Sequence, residues 1–334
     1  MLMTLNSAPP IRALGLCSGG LDSILSILIL KRAGIIVECV GFETPIFSAE
    51  KARTAAAMTN TPITVLNITA AYVKMLKNPR FGYGRQMNPC LDCRVLMLSI
   101  AGEIMRDKGF NFIFTGEVLG QRPMSQTINS LRCTEKAADL NGYILRPLSA
   151  RLLSLTVPEE KGWIDREALL AISGRSRKTQ IGLAQMFGVT DYPPPAGGCL
   201  LTDPGFSCRL KDLLVHQAEH AERDFFLLKI GRHFRFDKSN KVVIGRIHRE
   251  NEELEKLGNI KGDLILKTVE FPGPVALIPY GANAETVEKA SLLCTAYGKS
   301  FCGKQSKVHV SQDGHSYDIL TQRVSIEEFK RFMI

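Results

Sequence analysis

The residues Ser18-Gly-Gly-Leu-Asp-Ser23 bring hydroxyls, glycines and a carboxylate together in one short segment. They follow an apolar run at Ile11–Leu16 and precede a helical pattern at Leu21–Ala33, which predicts a turn between a strand and a helix. Glycines let backbone N–H groups approach a ligand closely, and the start of a helix adds partial positive charge. The segment therefore predicts a phosphate site in which Asp22 holds a metal ion or orients the loop. It is neither a Walker A loop nor a dinucleotide fingerprint.

Cysteines form a second group of chemically capable residues. Cys90 and Cys93 are two residues apart, just ahead of a helical pattern at Arg94–Lys108. Thiols at the start of a helix have lowered pKa values, which makes them better nucleophiles and metal ligands. Another cysteine, Cys199, lies in a segment rich in proline and glycine. No second Cys-x-x-Cys and no His pair accompanies them, so the pattern does not indicate a four-ligand zinc site.

The glycine-containing segment resembles the S-G-G-x-D-S loop of the PP-loop (N-type) ATP pyrophosphatase family. Members of this family adenylate a substrate with ATP and release pyrophosphate. The resemblance implies that ATP is bound with Mg²⁺ and that Asp22 takes part in catalysis. It also implies which residues contact the phosphates of ATP, namely Ser18, Gly19, Gly20, Asp22 and Ser23.

Further segments resemble the tRNA 4-thiouridine synthetases of this family, with their T-G-E-x-L-G-Q, S-Q-T and L-R-P-L patterns. These segments are Phe42, Pro45–Lys51, Thr115–Gln121, Ser125–Thr127 and Ile144–Leu148. The resemblance implies that the nucleotide is contacted by Phe42, Thr115, Gly116 and Gln121.

The segment Asn-Pro-Cys-Leu-Asp-Cys resembles the cysteine loop of the tRNA 2-thiouridylases, a sister group. In related tRNA sulfurtransferases a Cys-x-x-Cys pair and a distant cysteine hold a [4Fe-4S] cluster. On that resemblance the catalytic metal ligands would be Cys90, Cys93 and Cys199. A cysteine persulfide resolved through a disulfide is the competing chemistry. Cys17 and Cys208 are alternatives for the third cysteine, although Cys17 ends a predicted buried strand.

The elements that must position these residues alternate between short β-branched runs and longer helical periods, as in a doubly wound parallel sheet. Strands are predicted at Ile11–Leu16, Ile35–Phe42, Ile63–Ile68, Phe110–Thr115 and Tyr143–Leu145, and helices at Leu21–Ala33, Ala49–Thr59 and Arg94–Lys108. Ligands bind at the carboxyl ends of such strands, so the loops after Leu16, Val40 and Phe114 should form the site. The fold class is α/β, similar to the adenine nucleotide alpha hydrolases, with a second, smaller α+β domain.

The second half of the chain is less regular, and we place a domain boundary near residue 208, giving domains 1–208 and 209–334. Before it, short helices are predicted at Asp165–Ile172 and Thr179–Phe187, followed by a proline-rich connection at Tyr192–Cys199. After it, helices are predicted at Arg209–Asp224 and Ala284–Tyr297, and strands at Phe225–Ile230, Val242–Ile247, Leu264–Lys267 and Val275–Pro279.

Charge favours a polyanionic partner. Of 334 residues, 45% are hydrophobic and 22% charged, as in soluble globular proteins, and 42 basic residues against 33 acidic ones give a net charge of +9. The segment Lys229–Arg249 holds seven basic residues and one acid, Asp237, with aromatic rings between them, which suits contact with RNA. A smaller patch contains Arg175, Arg177 and Lys178. Residues 226–310 resemble the NFACT-R type of RNA-associated domain.

We therefore hypothesise an ATP-dependent tRNA sulfurtransferase that makes 4-thiouridine. Nine cysteines, an odd number, with no secretory signal and no apolar run of about 20 residues, predict a cytoplasmic protein with no membrane partner. Alternatives are a 2-thiouridylase acting on the wobble uridine, an amidotransferase or ligase acting on a small molecule, and a non-catalytic RNA-binding module. The sulfur donor (sulfide or a cysteine desulfurase persulfide) and the oligomeric state, monomer or homodimer, stay open.

Overall fold

The computed structural model describes residues 9–194, 199–299 and 305–334. The chain divides into two compact units, and the division falls between Cys199 and Leu200. The predicted boundary near residue 208 falls instead inside a continuous helix of the second unit, Pro204–His216. Cys302 and residues 195–198 of the predicted proline-rich connection lie outside the described residues.

A five-stranded parallel sheet forms the centre of the first unit, with strand order β3-β2-β1-β4-β5. The strands are β1 (Arg12–Leu16), β2 (Ile36–Glu43), β3 (Ile63–Asn67), β4 (Phe112–Thr115) and β5 (Ile144–Leu145). All five were predicted, because the strands of a parallel sheet covered by helices are short apolar runs that stand out from the helices between them. The α/β fold class is thereby confirmed.

The helices of the first unit include three that the sequence analysis missed, α3, α5 and α6. They are α1 (Leu21–Arg32), α2 (Glu50–Met58), α3 (Thr69–Lys77), α4 (Cys90–Lys108), α5 (Ile128–Ala137), α6 (Val157–Glu160) and α7 (Lys178–Met186). The helix predicted at Asp165–Ile172 is wrong, since only a short 3-10 turn forms at Arg166–Ala168. The chain then runs extended because the amides of Leu170 and Ile172 donate to the carbonyls of Pro147 and Leu148.

Two glycines set how closely the loops approach each other at the carboxyl end of the sheet. Gly19 has a φ of +74°, and a Cβ there would overlap the backbone of Lys51. A Cβ on Gly116 would lie 2.6 Å from the amide nitrogen of Ser23. The segment after β4 therefore packs directly on the first turn of α1 through Gly116, and the phosphate loop packs on the first turn of α2 through Gly19.

The second unit is built on a six-stranded antiparallel sheet of order β11-β10-β8-β9-β7-β6. Its strands are β6 (Arg232–Arg235), β7 (Lys241–Ile244), β8 (Leu264–Thr268), β9 (Val275–Ile278), β10 (Gln305–Gln312) and β11 (His315–Gln322), and its helices α8 (Pro204–His216), α9 (Glu222–Leu227), α10 (His248–Leu257) and α11 (Ala284–Tyr297). The separate α+β unit is confirmed, while the hairpin β10–β11 was missed.

Local capping explains two errors in the second unit. The predicted helix Arg209–Asp224 is two helices: α8 starts early, because Asp203 accepts the amide of Phe206, and it ends at His216, after which Gln217 is extended. The first half of the predicted strand Phe225–Ile230 belongs to helix α9, whose start is capped by Asp224 accepting the amide of Ala221. Gly231, with a φ of +69°, then turns the chain into β6. Among the residues that the structure describes, every helix is too short or too polar to cross a bilayer.

Candidate functional site

The predicted phosphate loop lies between β1 and α1, as expected. Gly20 precedes α1 in an extended conformation, and no side chain caps the first turn of the helix. Ser18 is exposed, whereas the hydroxyl of Ser23 donates to the carbonyl of Gly20 at 2.8 Å and stabilises the turn. The uncapped amides at the start of α1, beside an exposed hydroxyl, form an arrangement that suits an anion.

Asp22 and Gln121, 99 residues apart, meet at this loop. The side-chain amide of Gln121 donates to Oδ2 of Asp22 at 3.0 Å, which fixes the carboxylate from the segment after β4. The other carboxylate oxygen of Asp22 is buried and accepts no hydrogen bond from the described residues. A buried carboxylate oxygen without a donor is favourable only if a cation or a water takes that position. This oxygen fits a hard cation such as Mg²⁺.

The other residues expected to contact the nucleotide are more enclosed. The side chain of Phe42 is 8% exposed near the end of β2, and Thr115 is 3% exposed at the end of β4. The Thr115 hydroxyl donates to Glu117 at 3.0 Å. Gly116 lies against the first turn of α1, so of this group Gly116 and Gln121 are the residues that the structure brings to the phosphate loop.

Glu117 is the main residue that the sequence analysis overlooked. Its side chain is 4% exposed and forms ion pairs with Arg94 and with Arg146, whose Nε lies 3.1 Å away. Arg146 also pairs with Glu135. Burial alone would raise the pKa of Glu117, but the two guanidinium groups outweigh it and hold that pKa below its ordinary value. The signal was present, because Glu117 and Arg146 are charged residues inside the two motifs already quoted.

This ion-pair network, the Glu117 network (Arg94, Glu117, Glu135 and Arg146), connects three motifs. Arg94 directly follows Cys93, Glu117 belongs to the segment T-G-E-x-L-G-Q, and Arg146 belongs to L-R-P-L. Four residues after Glu117, Gln121 contacts Asp22 of the phosphate loop. The seven residues Thr115–Gln121 therefore contact both the phosphate loop and the start of the cysteine helix.

The Cys-x-x-Cys pair lies inside the first turn of α4 rather than ahead of it, because the helix begins at Cys90. A separation of three residues places both side chains on neighbouring positions of one helix surface. Between them, Asp92 accepts the amides of Arg80 at 2.7 Å and of Phe81 at 3.0 Å, which ties the preceding loop to the helix.

The expectation of lowered thiol pKa values is wrong for Cys93. Burial, together with the nearby thiols of Cys199 and Cys90, raises the pKa of Cys93 to about 12, although Arg94 acts to lower it. Burial likewise raises the pKa of Tyr72, with contributions from Cys93, Cys199 and Cys90. At Cys93, burial therefore raises the thiol pKa by more than the partial positive charge at the start of the helix lowers it. The same interactions show that Cys199, which is exposed, lies within electrostatic reach of Cys93.

The three predicted metal ligands are thus near one another without forming a finished metal site. Within the described ranges, no three His, Cys, Asp or Glu side chains are gathered so that they could hold a metal ion. The donor set still fits an iron–sulfur cluster, because each thiolate of such a cluster binds a different iron and the sulfurs stand farther apart than ligands of one ion.

The two alternative cysteines differ in their surroundings. Cys208 is exposed on α8 of the second unit. Cys17 is buried, and its sulfur lies 3.9 Å from the hydroxyl of Ser23. A hydrogen bond from Cys39 lowers the pKa of Cys17 to about 7 and raises that of Cys39. Cys17 therefore packs against the phosphate loop, as its place at the end of a buried strand predicts.

The basic segment Lys229–Arg249 is largely paired within the second unit. Asp212 of α8 lies 2.7 Å from the guanidinium of Arg235 and 3.3 Å from the ammonium of Lys241. Two further arginines of the segment pair with acids that follow it: Arg246 with Glu250 at 2.5 Å and Arg249 with Glu253 at 3.0 Å. Four of the seven cations are therefore paired, which weakens the prediction that this segment as a whole contacts RNA.

Comparisons with known proteins agree with the two resemblances. Residues 11–151 match the family model described as thiamine biosynthesis protein (ThiI), and residues 231–333 match the NFACT protein RNA binding domain. A probable tRNA sulfurtransferase of Ureaplasma parvum is 32% identical over 146 residues, covering 42% of this chain and 37% of that protein. A tRNA sulfurtransferase of Desulfurococcus amylolyticus is 28% identical over 148 residues, covering 41% and 29%. The chain thus spans less than two fifths of these relatives' length.

Two solved structures show a partial likeness. One is a predicted subunit of a tRNA methyltransferase from Methanocaldococcus jannaschii, with a TM-score of 0.35, 16% identity, and coverage of 53% of this chain and 76% of that one. The other is a 4-thiouridine synthetase–RNA complex with bound ATP, with a TM-score of 0.34, 24% identity, and coverage of 52% and 50%. Taking the family matches together, this chain combines a region of the ThiI type with a region of the NFACT RNA-binding type in one polypeptide.

Proposed function

We propose that the chain is an ATP-dependent tRNA sulfurtransferase that converts uridine to 4-thiouridine. One observation carries the proposal: the segment Thr115–Gln121 contacts Asp22 of the phosphate loop through Gln121 and pairs with Arg94, next to Cys93, through Glu117. These contacts fix the position of the candidate nucleotide site relative to the candidate thiol site. Adenylation followed by sulfur transfer needs that relation, because the first step acts on the oxygen and the second on the carbon of the same carbonyl group of the base.

In the first step, ATP binds with its phosphates at Ser18, Gly19, Gly20 and Ser23. The carbonyl oxygen of the uridine forms a bond to the α-phosphorus, the bond between the α-phosphorus and the bridging oxygen breaks, and pyrophosphate leaves. The uncapped amides of α1 stabilise the charge that develops on the phosphates. Asp22, oriented by Gln121, would hold Mg²⁺, which neutralises phosphate charge when it is bound.

In the second step, a sulfur nucleophile attacks the activated carbon and AMP leaves with the former carbonyl oxygen. Cys90, Cys93 and Cys199 are the residues that would hold an iron–sulfur cluster, which when bound offers a site for sulfide. Without a cluster, one of these cysteines would carry a persulfide, and a second would release its sulfur by forming a disulfide. Arg94 favours thiolate formation at Cys93 in either case.

The test is a reaction with unmodified tRNA, ATP and sulfide, followed by pyrophosphate release and by nucleoside chromatography with mass spectrometry. We expect tRNA-stimulated pyrophosphate release and 4-thiouridine. Asp22→Asn should lower both by about a hundredfold or more, since the cation site is lost. The matched control Asp107→Asn, at the exposed end of α4, should leave both rates unchanged.

The outcome separates the alternatives. A thiolated nucleoside that elutes at the retention time of 2-thiouridine would favour the second candidate, a 2-thiouridylase. The Asn-Pro-Cys-x-x-Cys segment supports that candidate. Pyrophosphate release at the same rate with and without tRNA would contradict the proposal and indicate a ligase for a small molecule. Anaerobic purification of the wild type and of Cys199→Ala decides the sulfur chemistry, because an iron-free wild type would leave only the persulfide route.

A further inference from the structure

A short basic turn in the first unit differs from the paired basic segment of the second. It comprises Ser173-Gly-Arg-Ser-Arg-Lys178, the last residue of which is the first residue of helix α7. Arg175 and Lys178 are exposed, and Arg177 is half-buried. Over the ranges that the structure describes, no acidic side chain pairs with any of the three. Three positive charges within four residues therefore face solvent without a counter-charge from the protein, and we call residues 173–178 the basic turn.

The basic turn is attached to the candidate site by backbone hydrogen bonds. The amide of Gly174 donates to the carbonyl of Leu119 at 2.7 Å, two residues before Gln121. The buried hydroxyl of Ser149 links the same two segments. It accepts the amide of Leu119 at 2.9 Å and donates to the carbonyl of Ile172 at 2.6 Å. The position of the basic turn is therefore set by the segment that orients Asp22.

A cavity of about 370 Å³ opens beside the basic turn. Its walls combine hydroxyl groups with apolar side chains, and they are formed by Leu170, Ala171, Ile172, Ser173, Ser176, Thr179 and Leu183. This volume lies in the range of small-ligand sites. Hydroxyls can bond a ribose or a base edge, while the aliphatic side chains can pack on the face of a base.

We propose that the basic turn binds the phosphate backbone of the RNA substrate and that the adjoining cavity accepts one nucleotide of that RNA. This inference rests on the proposed function in one respect, that the substrate is an RNA. Unpaired cations are available to phosphates, and each phosphate they neutralise releases a counterion. Cations already paired with carboxylates, such as Arg235 and Lys241, would first have to give up those partners.

The experiment measures binding of an unmodified tRNA transcript to the full chain over a series of salt concentrations. In the double variant Arg175→Ala/Lys178→Ala we expect roughly tenfold weaker binding and a salt slope reduced by about two. The matched control Arg106→Ala/Lys108→Ala removes the same charge at the far end of α4 and should change neither quantity. Fluorescence of Trp163, the single tryptophan, checks that the first unit remains folded.

A third variant tests the cavity. Ala171→Phe fills it from an exposed wall, so we expect weaker binding, by about fivefold, with the salt slope unchanged. Equal affinity and slope for the wild type and the double variant would overturn the phosphate assignment, as would equal losses in the control. A wild type that binds no tRNA would overturn it too. Because no ATP or sulfur is needed, these results hold whether or not thiouridine is made.

Discussion

Each unit contains one buried carboxylate between two cations, but the two arrangements serve different purposes. In the first unit Glu117, 4% exposed, lies between Arg94 and Arg146. In the second unit Asp212, 9% exposed, lies between Arg235 and Lys241. In both cases burial acts to raise the pKa of the carboxyl, and the neighbouring cations lower it below its ordinary value.

The difference lies in what the cations are attached to. Arg94 is the neighbour of a candidate sulfur ligand, and Glu117 is four residues from the residue that orients Asp22. Arg235 and Lys241 belong to the paired strands β6 and β7, and Asp212 fastens that hairpin to α8. The same ion-pair chemistry therefore positions a site in one unit and holds a fold in the other, where it also removes cations from the surface.

Among the variants that test this comparison, Glu117→Ala should reduce stability the most. It removes the carboxylate that pairs with Arg94 and one of the two that pair with Arg146, which keeps Glu135 and is only 3% exposed, so we expect the first unit to lose about 3–5 kcal/mol. Denaturant unfolding followed by Trp163 fluorescence measures this loss. The control Glu38→Ala breaks the half-exposed pair with Arg12 and should change stability by less than about 1 kcal/mol. Equal effects of the two variants would contradict a special role for Glu117.

Asp212→Ala should have an intermediate effect, confined to the second unit. Removing the shared carboxylate leaves Arg235 and Lys241 unpaired, and we expect a loss of about 2–3 kcal/mol, less than for Glu117 because the pair is closer to solvent. Circular dichroism should show the change, while the Trp163 transition stays in place. Binding of tRNA should not weaken, since two cations are released. Weaker binding would instead identify Asp212 as part of the RNA surface.

Lys241 should give the smallest effect, visible as a pH dependence. Burial lowers its pKa from 10.5 to about 8, so the unfolded chain binds more protons than the folded one between these values. Stability must then rise with pH in this window, by about 1–1.5 kcal/mol between pH 8 and pH 9.5. Lys241→Met lacks the titrating group, and the difference between its curve and that of the wild type isolates the effect. If the difference between the two stability curves does not change with pH, Asp212 compensates fully for the effect of burial on the pKa of Lys241.

The sequence was sufficient for much of the fold because the signals are local. The five strands of the parallel sheet appear as short apolar runs, and the loop Ser18–Ser23 is recognisable between a strand and a helix. Local signals were misleading where one capping residue decided the outcome. Asp224 starts helix α9 in a stretch whose apolar residues, Phe225–Ile230, fit a strand equally well.

Charge was the property least predictable from sequence. A count over Lys229–Arg249 sees seven cations and one acid, yet Asp212 approaches from a helix that precedes this window. The basic turn has only three cations, and it keeps them unpaired among the residues that the structure describes. Net charge in a linear window therefore indicates a surface only when no carboxylate from elsewhere folds onto it.

By itself, the sequence determined which chemically capable groups are present: a candidate phosphate loop, three cysteines that are candidate sulfur ligands, and an excess of positive charge. Tertiary structure alone decided which of these groups meet. It joined Asp22 to Gln121 and Arg94 to Glu117, and it raised the pKa of Cys93 by burial where the helix start predicted the opposite. The reason is physical, because the pairing and desolvation of a charged group depend on its neighbours in space, and those neighbours come from distant parts of the chain.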